Sequence, residues 1–156
     1  TKLIANDAME LSLFIETNTT GDTNELALKE YANISLLIYQ NRFDEARSKL
    51  KDLVDAQLGH PIRDDSFWLL VKLEKQLGRY DEAISFLNVL ISEYPDGVLG
   101  DDALFLKAQI LEEYLDRPFE AMRVYRQFLD DFPGSAFAVE ARNRFRSLRT
   151  NVINEK

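Results

Sequence analysis

Paired carboxylates are the residues of this sequence whose type and spacing come closest to chemistry. The pairs are Asp64-Asp65, Asp101-Asp102 and Asp130-Asp131. Two adjacent carboxylates can share a proton in acid–base catalysis or bind a divalent cation. The first two pairs, however, stand where helices are expected to begin, and a carboxylate there accepts hydrogen bonds from free backbone N–H groups. Capping therefore explains them without chemistry, and for the third pair we expect an ion pair with Arg142 or Arg144.

The other candidates for catalysis or ligand binding are equally weak. His60, the only histidine, precedes Pro61 in an expected loop, where an ordinary loop residue is a better interpretation than a catalytic or metal-binding one. The sequence has no cysteine, which excludes disulfides, thiolate metal sites and a cysteine nucleophile. It also lacks the motifs GxxxxGKS/T, GxGxxG, HExxH and GxSxG. We therefore predict a protein that is not an enzyme and that uses no cofactor and no metal.

Charge and hydropathy argue against two kinds of partner. The net charge is -8 at pH 7, so a nucleic-acid partner is not expected, because such binding depends on cations that neutralise phosphates. No run approaches the roughly 18 consecutive apolar residues of a membrane span, so no direct membrane insertion is expected. Residues 135–156 carry a net charge of +3 and the rest of the chain -11. The arginines of that end are spread over more than one helix face, which favours a solvated cap: Arg142, Arg144, Arg146 and Arg149.

Size and composition are those of one folded domain. The chain has 156 residues, 46% of them hydrophobic, which is enough for a core without disulfides. Only four prolines and six glycines occur, which leaves room for long helices. The sequence begins Thr1-Lys2-Leu3 without a methionine, so we interpret it as a fragment of a longer protein and expect any targeting signal on the missing part.

A repeated motif organises the middle of the chain. Overlaying the sequence on itself aligns three segments that end in an alanine, and the alanines are 37 and 38 residues apart. The three copies of the motif are Arg42-Phe43-Asp44-Glu45-Ala46, Arg79-Tyr80-Asp81-Glu82-Ala83 and Arg117-Pro118-Phe119-Glu120-Ala121. Large residues follow each alanine at four and seven positions: Leu50 and Leu53, Leu87 and Leu90, Tyr125 and Phe128.

These spacings predict two helices in each copy. Positions i, i+4 and i+7 share one face of an α-helix, so the alanine and its two large residues form a stripe that packs on a neighbouring helix. Pro95 and Pro133 follow twelve positions after the alanine and end this second helix, whereas copy one has Pro61 after a lengthened loop. A first helix precedes each motif, and in copy two Gly78 is expected to end it in a left-handed conformation. The candidate N-caps of the first helices are Asn24, Asp64-Asp65 and Asp101-Asp102.

The sequence therefore predicts an all-α fold, an α-α superhelix (solenoid) of stacked antiparallel helix pairs with a C-terminal capping helix. We expect a leading helix and linker of a truncated preceding repeat at 1–23, three helix pairs at 24–134, and the capping helix and tail at 135–156. The predicted helices are 2–17, 25–40, 43–57, 65–77, 81–94, 102–115, 119–132 and 135–149. In the capping helix Ser135 is the expected N-cap, and the inward stripe is expected to be Phe137, Ala141, Phe145 and Leu148.

The motif resembles the tetratricopeptide repeat family over roughly residues 25–134. That family pairs a small residue at the start of the second helix with a large one four positions later and a terminal proline. The small residue that the family has midway along the first helix is replaced by Ile34 in copy one and Val71 in copy two. In copy three Ala108 takes this place only if the turn has one more residue. The resemblance implies a non-catalytic scaffold for protein–protein interaction.

Two phrases further resemble the bacterial envelope type of these repeats, found in barrel-assembly lipoproteins and Tol-associated periplasmic proteins. They are Tyr94-Pro95-Asp96-Gly97 and Asp131-Phe132-Pro133-Gly134-Ser135-Ala136-Phe137. The stretches 102–108 and 140–146 also resemble the C-terminal part of larger bacterial tetratricopeptide proteins. This resemblance implies a periplasmic or envelope-associated location and a role in an envelope assembly.

Stacked helix pairs form a concave surface lined by their first helices, and such surfaces hold peptides or partner helices. The predicted protein-binding groove is lined by Tyr31, Ser35, Tyr39, Trp68, Lys72, Lys75, Phe105, Gln109 and Glu112. Trp68 is the strongest candidate, because tryptophan is enriched at interface hot spots, although packing between helices is an equal alternative for it. The alternative function is a terminal module that completes a longer superhelix or mediates self-association, without a groove ligand.

Overall fold

The computed structural model describes residues 25–56, 61–95 and 97–154, except for the side chains of Glu25 and residues 152–154. These ranges contain seven α-helices and no β-strand. The helices are α1 (Glu25–Tyr39), α2 (Phe43–Ala56), α3 (Ile62–Gln76), α4 (Tyr80–Glu93), α5 (Gly100–Glu113), α6 (Pro118–Asp131) and α7 (Ala138–Asn154). The predicted helix at 2–17, the linker after it, Asn24 and His60 lie outside the described residues.

The seven helices confirm those predicted between residues 25 and 149, with different ends for some of them. The first turn of α3 begins at Ile62, which is fully buried and whose carbonyl accepts a hydrogen bond from the Ser66 hydroxyl at 2.6 Å. The start of α5 at Gly100 is likewise earlier than predicted. Asp64-Asp65 and Asp101-Asp102 therefore lie inside the first turns, and the prediction that they are N-caps is wrong.

The chain divides into two compact units inside α3. The N-terminal unit ends at Leu69, and the C-terminal unit begins at Leu70. In the N-terminal unit α1 packs against α2. In the C-terminal unit α5 packs against both α4 and α6, and α6 packs against α7. Helices that contact their neighbours, with no strand in the described ranges, confirm the predicted all-α repeat fold.

The periodic stripes of the second helices are the best-buried part of the core. All nine stripe residues are at most 2% exposed, as the i, i+4, i+7 spacing predicts. The alanine of each stripe is completely buried, which fits a close approach of two helix backbones. The stripe residues are Ala46, Leu50, Leu53, Ala83, Leu87, Leu90, Ala121, Tyr125 and Phe128.

An aromatic cluster joins α5, α6 and the segment before α7. The ring of Phe105 stacks on Phe137 with centroids 4.7 Å apart, and its centroid lies 5.5 Å from that of Phe128. Aromatic pairs at these separations add to the free energy gained by burial alone. Ala141 and Leu148 of α7 are buried and Phe145 is partly buried, which confirms the predicted inward stripe. Phe137 also contributes, but from the turn before the helix.

Each copy passes from its first to its second helix through one left-handed residue, five positions before the motif alanine. These residues are Asn41 (φ 60°), Gly78 (φ 70°) and Asp116 (φ 48°). In copy two the N–H of Gly78 donates to Lys75 O at 3.1 Å, and the N–H of Arg79 donates to Glu74 O at 2.8 Å. These two bonds form a Schellman motif, which satisfies carbonyls at the end of the helix. The predicted role of Gly78 as a left-handed C-cap is confirmed.

The turn of copy three has one more residue than the other two. The N–H of Arg117 donates to the carbonyl of Leu111, six positions earlier, at 2.8 Å, whereas the equivalent bond in the other copies spans five positions. The extra residue moves Ala108 into the place that the small residue of the first helix occupies, where it is 0% exposed. Ile34 and Val71 hold the same place in copies one and two and are also fully buried.

Replacing Gly78 with alanine is expected to lower the free energy of unfolding by about 1 kcal/mol, because a left-handed φ is unfavourable for a residue with a Cβ atom. An added Cβ meets no atom within 4 Å, so the cost comes from the backbone alone. Gly134→Ala is the matched control, since that glycine is equally open but has no left-handed φ. Urea denaturation followed by circular dichroism measures both. An equal decrease of the free energy of unfolding in the two variants contradicts the assignment of Gly78 as a left-handed C-cap.

The segment before α7 is a turn rather than the start of the helix. The N–H of Ser135 donates to Phe132 O at 3.1 Å, as the N–H of Gly97 donates to Tyr94 O before α5. The hydroxyl of Ser135 donates to Asp101 Oδ2 at 2.7 Å and accepts from the N–H of Phe137 at 3.2 Å. The prediction of Ser135 as N-cap is therefore wrong, because the turn uses this residue and α7 begins three positions later.

Candidate functional site

The first two acidic pairs are engaged locally at the starts of α3 and α5. The N–H of Asp65 donates to Asp64 Oδ1 at 2.9 Å, and the N–H of Asp102 donates to Asp101 Oδ1 at 3.0 Å. Burial raises the pKa of Asp64 and of Asp102, and for Asp102 the charge of Asp101 raises it further. The same local arrangement in two copies belongs to the repeat itself and not to a catalytic centre.

The third acidic pair lies at the end of α6. Asp130 is 3.9 Å from the Nε atom of Arg126, and Asp131 accepts a hydrogen bond from Gln127 at 3.3 Å. The predicted ion pair with Arg142 or Arg144 is wrong, because both carboxylates have partners within their own helix. Within the described ranges no group of three or more His, Cys, Asp or Glu side chains could hold a metal ion.

We call the nine predicted groove residues the first-helix face, because they all lie on first helices. Each compact unit contains a part of this face. In the N-terminal unit Tyr39 is 85% exposed, whereas Tyr31, Ser35 and Trp68 are partly buried. The hydroxyl of Ser35 donates to Tyr31 O at 3.0 Å. Burial raises the pKa of Tyr31, and the charge of Asp65 raises it further, so this phenol stays neutral. The part of the face in the N-terminal unit is therefore aromatic and uncharged.

The part of the face on α3 in the C-terminal unit is cationic. Lys72 is exposed, and Lys75 is partly buried. The Nζ atom of Lys75 lies 5.8 Å from the ring centroid of Tyr114, which stacks on Tyr80 with centroids 4.4 Å apart. A cation over an aromatic face is attracted by the ring quadrupole. This places an amine and a partly exposed aromatic pair next to each other in the C-terminal unit.

The candidates on α5 differ from one another. Gln109 is partly buried and Phe105 is only 5% exposed, because its ring packs in the aromatic cluster. Glu112 accepts a hydrogen bond from the hydroxyl of Tyr125 at 2.7 Å. Burial raises the pKa of Tyr125, and the hydrogen bond to Glu112 raises it further. Phe105 is thus part of the core in this structure, and Glu112 is already engaged by its own chain.

Arg144 of α7 joins three carboxylates beside this face. Its guanidinium lies 3.0 Å from Glu112, 2.7 Å from Glu113 and 2.9 Å from Glu140. Burial by itself lowers the pKa of Arg144, but the hydrogen bonds to Glu140, Glu112 and Glu113 outweigh it and raise the pKa. Arg144 therefore ties α7 to α5 and is not a free cation for a ligand.

Replacing Arg144 with alanine is expected to lower the free energy of unfolding by about 1 kcal/mol, because three charge-assisted contacts are lost. Arg142→Ala removes an exposed arginine two positions away and is the matched control. Urea denaturation at low ionic strength measures both variants. If Arg142→Ala lowers the free energy of unfolding as much as Arg144→Ala does, the contacts of Arg144 with the three glutamates do not stabilise α7.

Two segments of the chain, residues 65–97 and 102–135, match the family model of the tetratricopeptide repeat. These two matches support the interpretation of the chain as a tetratricopeptide repeat protein. The matched segments coincide with copies two and three of the motif. No curated protein matches the chain. Tetratricopeptide repeats generally mediate protein–protein interaction, and their all-α fold is typically a non-catalytic scaffold.

None of the helices in the described part of the chain combines the length and the apolar character that crossing a membrane requires.

A pocket of about 400 Å³ lies away from the first-helix face, within the C-terminal unit. Side chains of α4, α5 and α6 line it: Ile84, Asn88, Lys107, Leu111, Glu120, Arg123, Val124 and Gln127. Sequence reasoning missed this pocket, because its polar residues come from three helices and do not recur between copies. The sequence signal for it is helical spacing, which places pocket residues of one helix three or four positions apart on one face. These residues are Lys107 and Leu111 on α5, and Glu120, Arg123, Val124 and Gln127 on α6.

Proposed function

We propose that this protein is a non-catalytic scaffold that binds a protein or peptide partner on its first-helix face. The observation that carries the proposal is the match of residues 65–97 and 102–135 to a repeat whose general role is protein–protein interaction. The first helices supply the binding surface, because the stripe residues of the second helices are buried in the core. A partner has aromatic and cationic side chains available there, and tryptophan and tyrosine are enriched among interface hot spots.

The N-terminal unit contributes aromatic contacts to this proposal. Tyr39 is 85% exposed, and Trp68 is partly buried, so part of its side chain remains accessible to a partner. Rigid aromatic side chains bury much area for little loss of conformational entropy, which makes them effective anchors. We expect Trp68 to be the principal anchor in this unit, with Tyr31 and Ser35 supporting the surface beside Tyr39.

The C-terminal unit contributes charge. Lys72 is exposed on α3, and Lys75 lies over the ring of Tyr114. Gln109 on α5 adds an amide, and Glu112 is reachable only if a partner competes with Arg144. Phe105 is left out of the contact set, because its ring is covered by Phe137. An acidic or aromatic segment of a partner suits this part of the face.

Capture of the partner by variants of the full chain tests the proposal. Trp68→Ala and Lys72→Glu are each expected to reduce the partner recovered by quantitative mass spectrometry about tenfold, the effect of losing one hot-spot contact. Lys49→Glu on α2 carries the same charge change at an exposed position of a second helix, and Phe119→Ala on α6 removes a 59% exposed aromatic ring. Both controls are expected to retain the partner.

Unchanged capture by both Trp68→Ala and Lys72→Glu contradicts the first-helix face as the binding surface. Light scattering on the same samples addresses the alternative, a module that only self-associates or completes a longer superhelix. A stable dimer that is lost in Lys72→Glu, together with no captured partner, contradicts the scaffold and supports that alternative.

The scaffold is proposed to work in a bacterial envelope assembly. The support is the resemblance of residues 94–97 and 131–137 to the envelope type of these repeats. A fusion of the full-length protein to alkaline phosphatase tests the location, because this enzyme is active only where its disulfides form. An active fusion is expected, and an inactive but stable fusion contradicts the proposal without affecting the binding experiment.

A further inference from the structure

We propose that the pocket between α4, α5 and α6 is a second binding site, which takes an acidic side chain that a partner protein presents next to an apolar one. The site is independent of the first-helix face. Its lower part is apolar, and its rim is polar and positively charged. This combination indicates the chemistry of the occupant.

The apolar part of the pocket consists of three aliphatic side chains from three helices. Leu111 of α5 and Val124 of α6 are buried, at 1% and 8% exposure, and Ile84 of α4 is partly buried. All three border the pocket. A volume of about 400 Å³ accommodates a few side chains but not a whole helix. An aliphatic residue of a bound segment gains free energy by leaving water for this surface.

The rim contributes two cations and one carboxylate. Lys107 and Arg123 border the pocket together with Glu120. In the described ranges neither cation has an ion pair, so one positive charge remains uncompensated. A carboxylate in the pocket gains two charge-assisted hydrogen-bond donors.

The partial burial of Lys107 strengthens the argument from geometry. Burial lowers the pKa of Lys107, and the charge of Glu120 offsets part of that shift. A half-buried ammonium group that has no ion pair among the described residues is destabilised by lost hydration, and an anion in the pocket offsets that loss. Asn88 adds an amide group that can donate to the same carboxylate, and the amide of Gln127, which donates one N–H to Asp131, has a second N–H for it.

The pocket and the first-helix face lie on different sides of α5. At 100° per residue, Gln109 is about 200° and Glu112 about 140° around the helix from Lys107, whereas Leu111 is only about 40° away. A ligand in the pocket therefore does not contact the part of the first-helix face on α5. The two surfaces can be altered and tested separately.

A titration with short blocked peptides, observed by backbone amide NMR of the full chain, tests this proposal. The probe is Ac-Gly-Asp-Leu-Glu-Gly-NH₂, and its matched control is Ac-Gly-Asn-Leu-Gln-Gly-NH₂. We expect saturable shifts at the amides of Asn88, Lys107 and Gln127 with the acidic peptide. The neutral peptide is expected to bind about fivefold more weakly or worse, because it lacks the charge-assisted hydrogen bonds.

Variants assign the binding to the pocket. Lys107→Gln and Arg123→Gln are each expected to weaken binding about fivefold, whereas Lys107→Arg retains it, because the positive charge remains. Lys49→Gln removes a positive charge from an exposed position of α2 and is expected to change the affinity less than about twofold. Unperturbed amide spectra away from the pocket show that each variant is folded. Failure of this test leaves the capture experiment on Trp68 and Lys72 unaffected.

Three results overturn the proposal. The first is equal binding of the neutral and the acidic peptide. The second is unchanged affinity in both Lys107→Gln and Arg123→Gln. The third is an equal response of the same amides to sodium sulfate alone, which means that any anion satisfies the two cations and that the apolar part of the pocket plays no role.

Discussion

Replacing Phe128 with alanine is expected to lower the free energy of unfolding by about 3–5 kcal/mol, the loss typical of truncating a buried phenylalanine. Phe128 is 0% exposed at the centre of the C-terminal unit. Its ring lies 5.5 Å from that of Phe105 and 5.9 Å from that of Phe132, so the variant loses aromatic contacts from α5 and from the end of α6. Because α5 and α7 both pack against α6, collapse of the cavity is expected to recover only part of this loss.

The matched control for Phe128→Ala is Phe119→Ala on the same helix. Phe119 is 59% exposed, so its loss is expected to change stability by less than about 0.5 kcal/mol. Urea denaturation followed by circular dichroism gives both values, and hydrogen exchange of α6 reports whether the effect is local. If the two variants are equally stable, the stripe of α6 does not face the core and the register of copy three is wrong.

Replacing Ala46 with leucine is expected to lower the free energy of unfolding by about 1–3 kcal/mol, the cost of overpacking a filled site. Ala46 is 0% exposed, and α1 packs against its helix α2. Three additional carbon atoms must either displace α1 or force neighbouring side chains out of their preferred rotamers. The same change at Ala83 or Ala121 is expected to have an effect of similar size, because both are also 0% exposed.

Ala32→Leu provides the control for overpacking in the same unit. Ala32 is exposed on α1, so a larger side chain there has room in solvent. The comparison separates the effect of volume from that of helix propensity, since leucine and alanine are both good helix formers. A neutral Ala46→Leu variant contradicts the repeat register in copy one, which lies outside the two segments that match the tetratricopeptide repeat.

The core was predictable from the sequence because it is periodic. A residue such as Leu87 is identified by its spacing from Ala83, and helical geometry alone places both on one face. Gly78 was predictable because glycine is the usual residue at a left-handed C-cap, whereas Asn41 and Asp116 at the same position of the other copies give a weaker signal. The ends of helices were less predictable: Asp64 was expected to cap α3, but the buried Ile62 begins the helix two positions earlier.

The candidate site was predictable only in part, because tertiary contacts decide which side chains remain available. Phe105 occupies the position in copy three that Trp68 occupies in copy two. The ring of Phe137 stacks on Phe105, and the repeat pattern does not predict this contact. Glu112 is likewise engaged by Arg144, which is 32 positions away. Three helices together form the pocket around Lys107, so neither a motif nor the face of one helix is enough to predict it.

Site-specific photo-crosslinking tests the central claim, that this repeat protein binds its partner through the first-helix face, most directly. Benzoylphenylalanine is placed at Lys72 or Tyr39 on that face and, as controls, at Ser48 or Glu82, which are exposed on second helices. We predict that the captured partner crosslinks from Lys72 and Tyr39 and not from Ser48 or Glu82. Crosslinks of equal yield from all four positions, or from the second helices alone, contradict it.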